Sequence, residues 1–173
     1  MDEALSHTAR KRMSRHAARL YDEHISAAVR FAYLLSGDAA LAQDLAHDAF
    51  IRVTGKLGML RSPDKVGPYL RTAILNGYRT QLRKVRRERA HVATGGGDPR
   101  ATSEQPDVVT RTEIRGALDR LPPRRRAAIV LRYYEDMTER QTADVLGCSV
   151  PAVKALVARG LDELRTAMEG EPR

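Results

Sequence analysis

Between Arg79 and Arg89 the chain carries six basic residues against one acid, Glu88, with Tyr69, Arg71, Asn76, Tyr78 and Gln81 upstream or interleaved. Arginine and lysine hold phosphates, side-chain amides hydrogen-bond to base edges, and aromatic rings stack on unpaired bases. That mixture suits nucleic acid with an unpaired strand better than duplex alone. Read by itself, the run is also compatible with a solvated basic face.

A second basic element lies far along the chain. Thr138 and Gln141 have the spacing of a capping box, so a short helix starts there, with Ala143, Val145 and Leu146 facing inward. Gly147 falls where a tight inter-helix turn needs a positive backbone angle, and Ser149 can cap the next helix with Pro151 in its first turn. Val153, Leu156, Val157, Leu161 and Leu164 mark the buried side of that second helix. This is the pattern of a helix-turn-helix, whose second helix enters the major groove. Ser149, Val150, Pro151, Lys154, Ala155 and Ala158 would face the DNA, and Lys154 and Arg159 are the charged contacts. A plain αα-hairpin within a bundle is the competing reading. If both basic elements together neutralise about six phosphates, affinity falls on the order of 10³-fold between 50 and 200 mM salt.

A third constellation has the opposite sign. Asp44 and Asp48 stand four apart on one helix face, with Gln43 and His47 beside them. Like charges at that spacing repel, so they do nothing for the fold and point to a protein partner with a basic surface. His47 with two carboxylates is a poor metal set, and no nucleophile–base pair or phosphate-cradling glycine loop occurs elsewhere. Neither catalytic residues, metal nor cofactor is expected.

The elements that position these groups follow from hydrophobic spacing. Residues 1–18 read as a loose basic arm. From Arg19 a helical stripe runs through Leu20, Ile25, Ala28, Val29, Ala32 and Leu35, closed by Gly37, with Asp38 capping the next helix. There Leu41, Leu45, Ala49, Val53 and Leu57 repeat every four residues, widened by Ala46 and Phe50. Ser62-Pro63 reads as the start of a third helix, with Tyr69, Leu70, Ala73, Ile74 and Leu82 on its apolar side. The stretch TGGGDPRATSEQPD cannot bury enough apolar surface to order itself, so 93–109 reads as a flexible linker between an N-terminal lobe, 19–92, and a C-terminal lobe, 110–169. Thr110 and Glu113 suggest a capping box opening the second lobe, and Pro122-Pro123 separates its first two helices. The fold class expected is all-α: two small helical domains joined by a flexible linker, the C-terminal one a helix-turn-helix.

Bulk properties agree. A net charge of +8 on 173 residues predicts attraction to a polyanion. With no Trp and two Phe, the cores must be built from Leu, Val, Ile and Ala. No run of eighteen apolar residues occurs, which argues against a membrane span and for the cytoplasm. One cysteine, Cys148, excludes an internal disulfide framework.

Three segments carry a family resemblance. DAALAQDLAHDAFIRV resembles the polymerase-binding helix of the extracytoplasmic-function (ECF) sigma factors of the sigma-70 family, where D-A-x-D-L-x-Q-E-x-F-x-R-V is usual. YLRTAILNGYRTQLRKVRR is similar to their promoter-melting segment, and LDRLPPRRRAAIVLRYYEDMTERQTADVLGCSVPAVKALVARGLDELR to their C-terminal DNA-binding lobe. The likeness spans about Leu20 to Ala90 and Ile114 to Arg165 and is nearest the actinobacterial branch. It implies an alternative sigma factor that directs promoter recognition and transcription initiation. Asp44, Leu45, Asp48 and Phe50 would then belong to the helix that docks on the clamp helices of the polymerase beta-prime subunit, with Phe50 packed inward. Arg71, Asn76, Arg79, Arg83 and Lys84 would act around the minus-ten element, and Ser149, Lys154 and Arg159 at the minus-thirty-five element. An anti-sigma protein is a frequent partner in the family, although no residue here demands one. One departure stands out: where members read G-T-V-K-S-R, this chain has Pro151, Ala152, Val153, Lys154, Ala155 and Leu156, which weakens or alters minus-thirty-five readout. His47 and Asp48 also replace the commoner Gln and Glu. The residues alone leave two other readings: a helix-turn-helix regulator binding duplex operators by itself, and an RNA-binding module.

Overall fold

The computed structural model describes residues 2–55, 66–93 and 113–169, and every regular element among them is helical. The linker, the Ser62-Pro63 start and the Thr110–Glu113 box therefore lie wholly or partly outside the described residues. Helix α1 spans Asp2–Ser36, α2 Ala39–Thr54 and α3 Val66–Ala93. The second lobe follows with α4 Glu113–Arg120, α5 Pro123–Ile129, α6 Glu139–Leu146 and α7 Val150–Glu169.

The backbone of 2–18 differs from the loose arm expected of it, because it is continuous with α1. The stretch lacks Gly and Pro and carries four Ala and three Arg beside Leu5, Lys11 and Met13, all of which lose little on entering a helix. Helix α1 ends at Gly37, in the left-handed region at φ +74, whose N–H donates to the Tyr33 carbonyl. Asp38 then starts α2 by accepting from the Leu41 N–H at 2.9 Å, a cap that contributes about 1 kcal/mol.

Helices α1, α2 and α3 share a core in which Phe31, Leu35, Val53, Val66, Ile74 and Leu75 are fully enclosed. In the second lobe Leu131, Val153 and Ala128 occupy the equivalent place. The two cores are not separate. One continuous cluster of buried apolar side chains runs from Leu20 to Val153, so α5, the turn that follows it and α6 pack directly on α1 and α3, while Leu118, Leu121 and Ile129 form a smaller cluster of their own.

Helix α5 does not simply stop. It widens into a π turn over Val130–Tyr134, and the Glu135 N–H reaches back to the Val130 carbonyl at 3.0 Å. The wider turn re-aims the side chains that follow, sending Tyr134 and Glu135 toward the first lobe.

Candidate nucleic-acid interface and docking face

On α2 the four-residue repeat buries Ala42, Leu45, Ala46, Ala49, Phe50 and Val53 and leaves Gln43, Asp44, His47 and Asp48 exposed. Asp44 and Asp48 thus share one solvent-facing strip with no ion pair to another described residue. His47 is held by the Tyr21 hydroxyl at 2.6 Å, and the Tyr21 ring lies edge-on to Phe50 at 5.0 Å. Leu45, packed over Gly77 of α3, and Phe50 are both buried. They brace the acidic strip from beneath.

Helix α3 divides its expected contacts three ways. Asn76, Arg83 and Lys84 are exposed. Among the described residues Arg83 bonds along its own helix, to the Arg79 carbonyl and Thr80 Oγ1. Tyr69 and Asn76 line a groove of about 520 Å³ with Ile51, Arg52 and Thr72, where an aromatic face, an amide and a guanidinium converge. Tyr78, by contrast, is 5 % exposed and cannot stack on a base; burial pushes its phenol up. It continues the Leu70–Ile74 stripe at four-residue intervals, so the helix period itself turns it inward.

The remaining two, Arg71 and Arg79, are engaged with the other lobe. Arg71 Nε pairs with the Glu135 carboxylate, and Arg79 Nη2 donates to the Leu146 carbonyl at 2.9 Å. Burial, followed by the like charges of Arg124 and Arg83, holds Arg79 below the ordinary guanidinium range, though still charged at neutral pH.

The helix-turn-helix forms as its spacing requires. Thr138 and Gln141 close a reciprocal capping box, and Gly147 ends α6 in the left-handed region at φ +61. Ser149 Oγ accepts from the Ala152 N–H at 3.3 Å, so this side chain caps α7. Lys154, Ala155, Ala158 and Arg159 face solvent, with Lys154 3.5 Å from Glu139. Val153 is fully buried, fixing which side of α7 turns outward.

Comparisons with known proteins now bear on these surfaces. Residues 20–88 match the model for sigma-70 region 2, and residues 111–164 match that for sigma-70 region 4. The ECF RNA polymerase sigma factor SigL of Mycobacterium tuberculosis is 31% identical over 160 residues, covering 87% of each chain. This chain belongs to the ECF RNA polymerase sigma factors.

Other relatives agree. The RNA polymerase sigma-E factor of Streptomyces antibioticus is 30% identical over 132 residues, 76% of this chain and 73% of that one. The ECF sigma factor EcfG of Rhodopseudomonas palustris is 29% identical over 137 residues. Among solved structures, the sigma factor RpoE of Bartonella quintana, crystallised with the anti-sigma factor NepR, superposes with a TM-score of 0.71 at 22% identity, over 90% of this chain and 98% of that one. That likeness shows a shared fold. As a sigma factor the chain serves promoter recognition and transcription initiation, which binds the two lobes to one task.

The sequence signals of this sigma factor missed one group of residues altogether. Arg115 and Arg126, only 6% and 7% exposed, donate to the Leu34 and Leu35 carbonyls at 2.8 Å each. They satisfy carbonyls that the end of α1 leaves without helical partners. Arg115 also stacks over Tyr33 at 4.9 Å and bonds Asp119. Backbone acceptors carry no side-chain signature, so an arginine in a run such as 124–126 reads as one more surface charge. Among the described residues no three His, Cys, Asp or Glu side chains converge as a metal set, and no helix is long and apolar enough to cross a membrane.

Proposed function

We infer that this sigma factor docks on core polymerase through the acidic strip of α2 and grips the promoter with α3 and α7. The observation that carries the reading is the exposed Asp44–Asp48 strip, unpaired within its lobe on a chain of net charge +8. A basic face such as that of the beta-prime clamp helices complements it, and electrostatic matching of this kind sets both partner choice and association rate. Leu45 and Phe50 act from below by holding α2 in place.

At the minus-ten element the Tyr69–Asn76 groove offers stacking and hydrogen bonding to an unpaired base, while Arg83 and Lys84 hold phosphates and Arg71 and Arg79 join them when released from the second lobe. At the minus-thirty-five element Lys154 and Arg159 reach the backbone or base edges, and Ser149, already used as a cap, contributes a hydroxyl. The outward Ala155 and Ala158 supply apolar contact and no directional bond, so minus-thirty-five readout rests on few polar groups. The chain acts without chemistry of its own, in the cytoplasm, and an anti-sigma protein is a partner of the kind its relatives have.

Capture by core polymerase tests the docking assignment. Immobilised core enzyme should retain the chain one-to-one at low salt without DNA. Tight binding to duplex promoter with no retention on polymerase would instead identify a regulator that works alone.

A further inference from the structure

Helix α1 is longer than the bundle it belongs to. It spans Asp2–Ser36, yet among the described side chains Leu20 is the first to join the apolar cluster. The Tyr21 ring lies against His47 and Phe50, so α1 and α2 run antiparallel. Equal rise per residue then sets the end of α2, at Thr54, level with about residue 15 of α1. The turns of α1 before that point project on the order of 20 Å past the end of α2.

Charge along this part of the helix has one sign. Arg10, Lys11, Arg12, Arg15 and Arg19 follow one another with no acid among them; Glu3 and Asp22 are the nearest on either side. Thr8, Lys11, Arg12, Arg15 and Arg19 have the three- and four-residue spacing that shares one helix face. Arg19, at the inner end of that stripe, is exposed. Like charges four apart, Lys11 with Arg15 and Arg15 with Arg19, repel, so the stripe does nothing for the fold. Residues 1–20 hold no Asn, Gln, Tyr, Phe or Trp, so the stripe has cations for phosphates and neither amides nor aromatic rings for bases.

Position selects which phosphates. Helices α2 and α3 are also antiparallel, since Leu45 packs on Gly77 while Ile51, Arg52 and Gly55 meet Tyr69, Thr72 and Asn76 around the groove. The start of α3, the end of α2 and the projecting turns of α1 therefore share the end of the bundle that holds the groove. The other end of α3 leads through residues 94–112 to the lobe with the recognition helix. That lobe takes the upstream element, so the projecting turns of α1 face downstream.

We propose that the projecting part of α1 is a third promoter contact, a basic arm that holds phosphates of the unpaired strand immediately downstream of the minus-ten element. The proposal rests on the promoter assignments of α3 and α7 above. A strand already held at the groove is tethered beside the arm, so contacts too weak to bind free DNA act there at high effective concentration. The arm adds affinity and no sequence preference.

The test uses polymerase assembled with the full chain, on forked DNA from a promoter that it transcribes. The non-template strand ends either at the minus-ten element or about ten nucleotides further downstream. The quadruple variant Lys11→Gln, Arg12→Gln, Arg15→Gln, Arg19→Gln keeps good helix formers throughout, and circular dichroism checks its fold. It should bind the long fork roughly tenfold more weakly than the parent at about 0.1 M salt, with a salt slope smaller by about two to three, and match the parent on the short fork. Equal affinity for the long fork, or the same loss on both forks, overturns the proposal. Loss of polymerase capture by the variant assigns the arm to a protein surface and overturns it as well. Contact is read directly with a photo-cross-linker on Thr8→Cys in a Cys148→Ser background. Cross-links to non-template nucleotides downstream of the minus-ten element are expected; cross-links only to polymerase, or only upstream, contradict it. Asn76→Ala should weaken both forks. If it weakens neither, the minus-ten assignment falls and the arm's placement falls with it. If it weakens both while the quadruple variant matches the parent, the arm alone is removed.

Discussion

Helices α2 and α3 lie side by side, yet they spend their charge differently. The carboxylates of α2 point to solvent with no ion pair among the described residues, whereas Arg71 and Arg79 of α3 are tied to the second lobe. The first is a surface already in its binding state. The second must exchange internal partners for external ones. What a helix face can do therefore depends as much on which bonds its residues must give up as on its composition.

The largest effect should come from breaking the free side of this contrast. Replacing Asp44 and Asp48 together with Arg should weaken core-polymerase binding by on the order of 100-fold, because like charges now face a basic partner. The circular dichroism spectrum should not change, since neither side chain supports the fold. Unchanged affinity in a surface-binding assay would remove the docking face from α2.

The engaged side is broken at Gly37. Gly37→Ala should cost about 2–3 kcal/mol of stability, combining left-handed backbone strain with collision against Arg115. Gly147→Ala has the same backbone sign with nothing within 4 Å, and should cost only about 1 kcal/mol. Thermal melts of the two proteins measure the difference directly; equal losses would mean that the inter-lobe corner contributes nothing.

Much of this molecule could be read in its sequence wherever the signal is local. The Thr138–Gln141 box, the Gly147 turn and the Asp38 cap each depend on residues within three or four positions, and each forms. The three family segments also mark both lobes. Face assignment failed where type was allowed to outrank period. Tyr78 suggested base stacking, yet it stands on the Leu70–Ile74 stripe and is buried. The packing of lobe on lobe was not legible at all. Its donors are arginines that look like every other arginine in a basic chain, and three of its acceptors, at Leu34, Leu35 and Leu146, are carbonyls belonging to no residue type. The π turn that aims Glu135 across the interface has no periodic signature either.

The smallest expected effect sharpens the comparison on a third helix. Lys154, with only a loose pairing to Glu139, resembles the uncommitted charges of α2. Lys154→Ala should weaken binding to minus-thirty-five duplex roughly threefold to tenfold and lower the salt slope by about one, with polymerase capture intact. Loss of capture as well would indicate misfolding rather than a lost DNA contact.

The central claim is that one chain joins a polymerase-docking face to two promoter grips. Run-off transcription with core polymerase on a pool of promoters from the source organism tests it most directly. Distinct transcripts that appear only when the chain is added, and vanish with the Asp44→Arg, Asp48→Arg variant, are the predicted result. A transcript pattern that is the same with and without the chain would contradict it.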